Sequence, residues 1–201
     1  MQIIRAASCR TTAWKNGGGS TTEIVAEPAG ASLDDFDWRI SMASVATNGP
    51  FSCFPGIDRS LAVVDGKGLM LTIAGQAPLR FDHGSDPIGF EGDVATSARL
   101  TAGAIMDLNV MTRRSRFRHQ LRRVVQPSRC ELGGKEIAVV LSLNSMTTLA
   151  TDQEVATLDH GDAAILRGAR EACFRIGPAG SGDCYLVLLH EFEPGHQPGS
   201  S

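Results

Sequence analysis

The chain has 201 residues, 42% of them hydrophobic and 20% charged, an ordinary balance for a globular protein that buries a sizeable core. The formal net charge is −3, so the chain as a whole has no general attraction to nucleic acid or anionic lipid. Its five cysteines are scattered without a CxxC pair, which argues against a disulfide framework or a zinc site and is typical of a reducing compartment. The apolar runs are too short to span a bilayer. We therefore expect a cytoplasmic protein with no membrane partner.

Short stretches in which apolar and polar residues alternate predict β-strands along the whole chain. In chain order the predicted strands are residues 21–26, 38–45, 59–64, 68–73, 104–113, 136–143 and 184–191. Turn sequences separate them, as in Asn48-Gly49-Pro50 and Asp65-Gly66. No helical pattern of a dozen residues stands out. The predicted fold class is therefore all-β, a sandwich or barrel of short strands.

A Gly-Asp pair follows an apolar segment in each half of the chain, at Gly92-Asp93 and at Gly161-Asp162. Each pair is a turn signal placed before another apolar segment. Two such units suggest a duplicated jelly-roll barrel.

Four motifs stand in the first 115 residues. They are Trp14-Lys15-Asn16-Gly17-Gly18-Gly19 with Thr22-Glu23-Ile24, then Trp38-Arg39-Ile40-Ser41, residues 49–59 (GPFSCFPGIDR) and residues 107–114 (DLNVMTRR). In this order and spacing they resemble the HutD/Ves family. The resemblance implies a bicupin, with two double-stranded β-helix (jelly-roll) barrels in one chain, and a cytoplasmic protein linked in many bacteria to histidine utilisation. It also implies a small acidic ligand, because an N-formylglutamate-like molecule has been suggested for the family.

The boundary between the two barrels is expected in the polar, turn-rich stretch from Arg123 to Gly134. We predict an N-terminal cupin barrel over residues 1–123, which carries the family motifs, and a C-terminal cupin-like barrel over residues 124–201. Exchange of strands between the barrels is left open. Exposed barrel edges make a homodimer one possible assembly.

The WKNGGG loop has two interpretations. Consecutive glycines let backbone amides approach a ligand, with Lys15 as a cation and Asn16 as a paired donor and acceptor. Alternatively, the glycines only allow a tight connection between two strands. The loop is not a P-loop, because the GxxxxGK[ST] order is absent.

Polar residues alternate along two of the predicted strands. Arg39 and Ser41 share a face of one strand, and Asn109 and Arg113 share a face of the other. In a closed barrel alternate residues face the lumen, where arginine, serine and asparagine among apolar walls would bind a small carboxylate. The reverse arrangement is open, with the Trp38 face filling the barrel and the polar residues facing solvent.

Metal cupins usually carry an HxH pair near the position that the FPGIDR segment occupies here. This chain has no histidine before His83, and none of its five histidines forms an HxH pair. We therefore expect no metal and no other cofactor. Arg59 is a candidate to anchor the ligand instead, as a fixed cation; a surface salt bridge is the alternative.

Six arginines lie between Arg113 and Arg123, in the segment RRSRFRHQLRR. Basic residues interleaved with an aromatic can bind single-stranded nucleic acid, but no RNA-binding signature accompanies the cluster. We favour a solvated strand or linker here, and nucleic acid is not an expected partner.

The predicted function is metal-independent binding of a small acidic ligand in a sensing or regulatory role. The candidate ligand-binding residues are Lys15, Asn16, Arg39, Ser41, Arg59, Asn109 and Arg113. No catalytic residue is assigned, since no GxSxG elbow or other convincing nucleophile is present. Two alternatives stay open: a metal-independent enzyme acting on a similar acid, with Glu23 or Asp58 as base, and a nucleic-acid-binding regulator that uses the arginine cluster.

Overall fold

The computed structural model describes residues 1–168, 172–180 and 182–192. These residues form short strands and one 3-10 turn, Ala6–Ser8. The strands in chain order are β1 (Gln2–Ile4), β2 (Arg10–Ala13), β3 (Gly19–Glu27), β4 (Trp38–Val45), β5 (Gly49–Pro50), β6 (Ile57–Asp65), β7 (Leu69–Ile73), β8 (Leu79–Phe81), β9 (Ile88–Glu91), β10 (Thr96–Leu100), β11 (Ile105–Arg113), β12 (Phe117–Val124), β13 (Ser128–Leu132), β14 (Glu136–Leu141), β15 (Thr147–Thr151), β16 (Val155–Leu158), β17 (Ala163–Arg167), β18 (Ala172–Pro178) and β19 (Cys184–Glu191).

The all-β prediction is confirmed, and the strands predicted at 38–45 and 184–191 have the observed bounds. The turn predicted at Asn48-Gly49-Pro50 is wrong in part, because Gly49–Pro50 pairs with β10 as a short edge strand. In the described part of the chain, no helical segment has the length and apolar character that a membrane crossing requires.

The chain packs as two compact units. One contains residues 1–9 and 119–190, and the other contains residues 10–118 with the segment that starts at Glu191. The first residues of the chain thus belong with its second half, where β1 pairs with β17. The division predicted from the sequence, between residues 123 and 124, stays a prediction beside this arrangement, and the end of the second predicted domain lies outside the described residues.

The unit that starts at Arg10 contains two antiparallel sheets. One has six strands in the order β2-β3-β4-β11-β6-β9, and the other has four in the order β5-β10-β7-β8. Alternate side chains of both sheets point inward and exclude water together, which is the main stabilising contribution in such a fold. This core consists of Ala43, Val45, Leu61, Val63, Leu69, Leu71, Ile73, Phe81, Phe90, Ala98 and Ile105.

The unit that contains residues 119–190 repeats the topology of the unit that starts at Arg10, with strand numbers offset by eight. The run β4-β11-β6-β9 corresponds to β12-β19-β14-β17, and β5-β10-β7-β8 corresponds to β13-β18-β15-β16. The predicted duplication is therefore confirmed, although the two Gly-Asp pairs that suggested it are not equivalent. Gly92-Asp93 lies between β9 and β10, whereas Gly161-Asp162 lies between β16 and β17.

The WKNGGG loop joins β2 to β3 as a tight connection. Gly17 adopts a positive φ of +70°, which only glycine adopts without strain. A Cβ atom on Gly19 would lie 2.2 Å from the carbonyl oxygen of Ser44 on β4. The Asn16 Oδ1 atom accepts the Gly18 N–H at 3.0 Å and closes the turn. The glycines therefore meet the needs of the backbone, as the second interpretation of this loop proposed.

Gly19→Ala is expected to lower the free energy of unfolding by about 3 kcal/mol, because its methyl group overlaps backbone that is fixed by strand pairing. Gly17→Ala is the matched control. Nothing lies within 4 Å of its Cβ position, so only left-handed strain of about 1 kcal/mol is expected. Urea unfolding measures both variants. Equal losses would contradict the close approach of β3 to β4.

Candidate ligand-binding cavity

A cavity of about 770 Å³ lies in the unit that starts at Arg10. Strands β2, β3, β4, β6 and β11 supply most of its wall, and the loops around residues 14–16, 30–33 and 50–54 supply the rest. The wall contains both polar and apolar side chains, with Trp14, Phe51 and Phe54 among the apolar members. This size and mixture are typical of sites for small molecules.

Strand register places the polar residues of the wall side by side. On β11, Met111 pairs with Arg39 of β4 on one side and with Arg59 of β6 on the other. Asn109 pairs with Ser41 in the same way. These side chains line the cavity, so the arrangement with polar residues toward the lumen is the observed one.

The opposite face of the same strands is apolar. Trp38 and Ile40 on β4, and Leu108 and Val110 on β11, are completely buried. The alternative in which the Trp38 face fills the barrel and the polar residues meet solvent is therefore wrong. On these central strands the polar residues Ser41 and Asn109 are buried as well, on the face that lines the cavity. Apolar and polar residues therefore alternate although neither kind is exposed.

Arg59 is a buried cation in the cavity wall, with only 7% of its surface exposed. Its Nη2 donates to Asn109 Oδ1 at 2.7 Å, and its Nη1 donates to the carbonyl oxygen of Ser52 at 3.3 Å. Its Nε–H has no hydrogen-bond partner among the described residues. Burial lowers the pKa of Arg59 to about 10, partly opposed by the negative charge of Asp107 and assisted by the like charge of Arg39. The guanidinium therefore stays charged at neutral pH.

Three phenylalanine rings surround the Arg59 guanidinium. Its Cζ lies 5.2 Å from the ring centre of Phe51, 5.6 Å from that of Phe54 and 5.3 Å from that of Phe90. Ring faces attract a cation without offering it a counterion. The rings therefore hold the guanidinium in place, but they supply no negative charge to balance it.

Asp107 is the most deeply buried ionisable group of the wall, at 1% exposure. In the sheet it lies between Ala43 and Val63, both of which belong to the apolar core. Asn109 Nδ2 donates to its Oδ1 at 2.6 Å. Burial raises the pKa of Asp107 to about 7, against the lowering effects of the Arg59 charge and the Asn109 hydrogen bond.

A second arginine lies on the other side of β11. Arg39 Nε donates to Glu23 Oε2 at 2.8 Å, and Arg39 Nη1 donates to Ser41 Oγ at 3.1 Å. Glu23 thus both lines the cavity and pairs with an arginine. The Arg39 charge is therefore balanced locally, in contrast to that of Arg59.

The family model named HutD matches residues 6–184 of this chain. The chain belongs to the HutD family. A protein encoded in the hutC 3′ region of Pseudomonas putida is 33% identical over 171 residues, covering 85% of this chain and 89% of that protein. Protein Ves of Citrobacter koseri is 41% identical over 113 residues, covering 54% of this chain and 56% of Ves.

Solved structures agree with this family assignment. HutD from Pseudomonas fluorescens, described as obtained in a formate condition, superposes with a TM-score of 0.80 at 29% identity over 96% of this chain and 99% of that chain. A cupin barrel protein from Leptotrichia buccalis, at 10% identity and a TM-score of 0.54, covers 91% of this chain and 96% of its own. This distant likeness shows the cupin fold alone.

Six of the seven site residues predicted for this HutD-family chain line the cavity, namely Lys15, Asn16, Arg39, Ser41, Arg59 and Asn109. Arg113 is not among the lining residues. Its Nη2 donates to the carbonyl oxygens of Asp34 and Phe36, each at 2.9 Å. The sequence reasoning missed Asp107, although it stands two residues before Asn109 on the same strand face.

The cavity of this HutD-family chain does not suit the metal that many cupins hold. The described residues contain no cluster of three or more His, Cys, Asp or Glu side chains that could bind an ion. The two carboxylates of the wall each stand beside an arginine, as Glu23 does with Arg39. A metal cation at this place would be repelled by the Arg59 guanidinium, because Glu23 balances the charge of Arg39 alone.

The repeated unit directs apolar residues into its corresponding interior. There, Ala138 and Val140 of β14 and Leu186 of β19 belong to the core, with Leu188 packed against it. These strands correspond to β6 and β11, which carry Arg59 and the Asp107–Asn109 pair. The polar wall is therefore a feature of one unit of the HutD-family chain, while the inward face of the other strengthens the core.

Proposed function

We propose that this HutD-family protein binds a small organic acid in the cavity, without a metal. The observation that carries the proposal is the Arg59 guanidinium, which is buried in the wall, encircled by ring faces and left with an unpaired Nε–H. A carboxylate is the ligand group that satisfies such a donor best, because charge-assisted hydrogen bonds are strong where water is excluded.

The wall supports this proposal with further donors. Asn109 and Ser52 fix the position of the guanidinium, so binding a ligand costs little additional conformational entropy of the Arg59 side chain. Lys15 and Arg10 add positive charge to the lining, and Arg39 lies across β11. An anion would therefore enter a positive, partly apolar chamber large enough for a molecule of amino-acid size.

Two facts about relatives guide the choice of ligand. The HutD structure from Pseudomonas fluorescens comes from a formate condition, and formate is the smallest carboxylate. The Pseudomonas putida relative is encoded beside hutC. We therefore propose an N-formylglutamate-like acid from histidine breakdown as the ligand, and a cytoplasmic sensing or regulatory role for the protein.

The arginine cluster lends little support to nucleic-acid binding. Most of its guanidinium groups already contact carboxylates of the same chain, which neutralise them. The pairs are Arg113 with Asp37, Arg114 with Asp58 and Asp93, Arg116 with Asp37, and Arg123 with Asp183. A site that binds phosphates needs such charges free.

A second candidate function, proton transfer on a bound acid, is favoured by a single observation. A buried carboxyl group with a pKa near 7 suits general acid or base chemistry, and Asp107 has that property. Asp58, one of the bases suggested from sequence, instead bonds Arg114. An enzyme built on this cavity would use Asp107.

Thermal unfolding with saturating N-formyl-L-glutamate, formate or urocanate tests the proposal. A ligand at about 100 times its Kd adds about 2.7 kcal/mol, which raises the midpoint by several degrees. L-glutamate is the control, because its ammonium group would meet the cationic wall. NMR spectra of the incubated ligands detect turnover and so decide between binding and catalysis. No shift with any of the three acids would overturn the proposed function.

A further inference from the structure

We propose that Asp107 is a ligand-contacting residue of the cavity and that it enters the complex protonated, so that the organic anion and one proton are bound together. The inference rests on the proposed function and adds a proton to its ligand. It begins from where Asp107 lies in the wall.

Asp107 lies where the polar wall meets the apolar core. Its neighbours in register, Ala43 and Val63, are core residues, and it lines the cavity itself. The hydrogen bond from Asn109 reaches only Oδ1, and Oδ2 receives none from the described residues. Two polar atoms of these wall residues therefore receive no hydrogen bond from the described residues, namely Asp107 Oδ2 and the buried Arg59 Nε–H.

A relay of hydrogen bonds joins these two groups. Arg59 Nη2 donates to Asn109 Oδ1, and Asn109 Nδ2 donates to Asp107 Oδ1. The asparagine cannot neutralise either charge, so the two ions depend on each other across it. Because both residues are buried, this dependence is strong, since Coulomb interactions are weakly screened away from bulk water.

The charged groups that line the same cavity as Asp107 come from several elements of the wall. Arg59 projects from β6, Arg39 from β4, Glu23 from β3, and Arg10 and Lys15 from β2 and the loop after it. Arg39 is paired with Glu23, which leaves Arg59 as the main cation for Asp107. From the facing sheet, β7 and β10 contribute the apolar side chains Leu71, Ile73 and Ala98.

An anion on Arg59 removes the support that the ionised form of Asp107 receives. The ligand carboxylate and the Asp107 carboxylate would then share one guanidinium in a low-dielectric site. Two like charges so close together repel each other, and the repulsion is relieved when one of them takes up a proton. Binding therefore raises the pKa of Asp107 beyond its value of about 7 in the free protein. Its proton comes from solvent, and no covalent bond of the ligand changes.

The protonated carboxyl group completes the recognition of the anion. Its O–H donates to one ligand oxygen while the Arg59 Nε–H donates to another, so a carboxylate has two donors on this wall. With formate, the net charge in the cavity changes little, because one negative charge and one proton enter together. Affinity should accordingly fall about tenfold per pH unit once Asp107 is ionised in the free protein.

Calorimetric titration with sodium formate and N-formyl-L-glutamate tests this, in pairs of cationic buffers of different ionisation enthalpy, such as Tris and triethanolamine near pH 8 and Bis-Tris and imidazole near pH 6. Both probes stay ionised from about pH 6 to about pH 8.5, since carboxyl groups titrate near pH 4. The wild-type protein should take up about one proton per ligand near pH 8 and almost none near pH 6, where Asp107 already holds it.

Three variants assign the proton to its residue. Asp107→Asn keeps the side-chain size, and its binding should be independent of buffer and pH. Asp65→Asn, at the exposed end of β6 and outside the cavity lining, is the matched control and should behave like the wild type. Glu23→Gln removes the other carboxylate of the wall and should still take up the proton.

The outcomes separate the inference from the function that it rests on. Binding without proton uptake near pH 8, or uptake that is lost in Glu23→Gln and kept in Asp107→Asn, overturns the inference and leaves acid binding intact. Absence of binding by both probes at either pH overturns both. If Asp107→Asn does not fold, the wild-type proton count and its pH profile decide the matter alone.

Discussion

Arg59→Met should reduce the affinity for formate and N-formyl-L-glutamate by roughly a hundredfold or more near pH 6, because a buried charge-assisted partner of the anion is worth about 2–5 kcal/mol. Methionine keeps most of the side-chain length and packs well against the rings of Phe51, Phe54 and Phe90. The variant should fold, since it removes a desolvated cation and leaves Asp107 free to become neutral. Calorimetry measures the affinity, and thermal unfolding without ligand measures the stability.

Arg80→Met is the matched control for this experiment. Arg80 lies on β8 of the same unit, its side chain is 70% exposed, and it does not line the cavity. Both variants lose one positive charge, so a general electrostatic effect would weaken both equally. Affinity retained within threefold by Arg59→Met, or lost equally in Arg80→Met, would contradict the role of Arg59 as anchor.

The alternation of residues was sufficient to predict the long central strands. In β4 the large apolar residues Trp38, Ile40 and Met42 stand at alternate positions, and the observed bounds are those predicted. Short edge strands carry no such signal: β2 consists of Arg10–Ala13, all exposed, and β5 has only two residues. The arginine-rich segment, for which we favoured a solvated strand or linker, contains most of strand β12, and polar residues separate the buried Phe117, Leu121 and Val124 of that strand in the sequence.

Site residues were predictable where alternation on one strand decides the direction of a side chain. It correctly grouped Arg39 with Ser41, but it also grouped Arg113 with Asn109, and Arg113 turns to the carbonyl oxygens of Asp34 and Phe36 at the end of β11. The protonation state of Asp107 was not predictable, because its pKa depends on which side chains of β4 and β6 stand beside it. That register follows from strand pairing between distant segments, which a single sequence does not display.

Asp107 should also make the stability of the ligand-free protein depend on pH. In the unfolded chain this aspartate loses its proton near pH 4, whereas the folded protein keeps it until about pH 7. Between these values the folded state binds more protons, so stability falls as pH rises. We expect the free energy of unfolding to decrease by about 2–3 kcal/mol from about pH 5 to about pH 8.

Urea unfolding of the wild type and of Asp107→Asn at these two pH values measures this effect. The variant should lack the decrease, because asparagine has no proton to lose. Asp93 and Asp162 have lowered pKa values, so they stabilise the folded protein more as pH rises. This increase is already complete when the pH reaches about 5, so neither residue changes the stability between the two pH values. Burial raises the pKa of Tyr185 to about 12 and that of Cys184 to about 11, which places both outside the range. The same decrease in both proteins would show that another group binds the proton and would remove Asp107 from its place in the cavity chemistry.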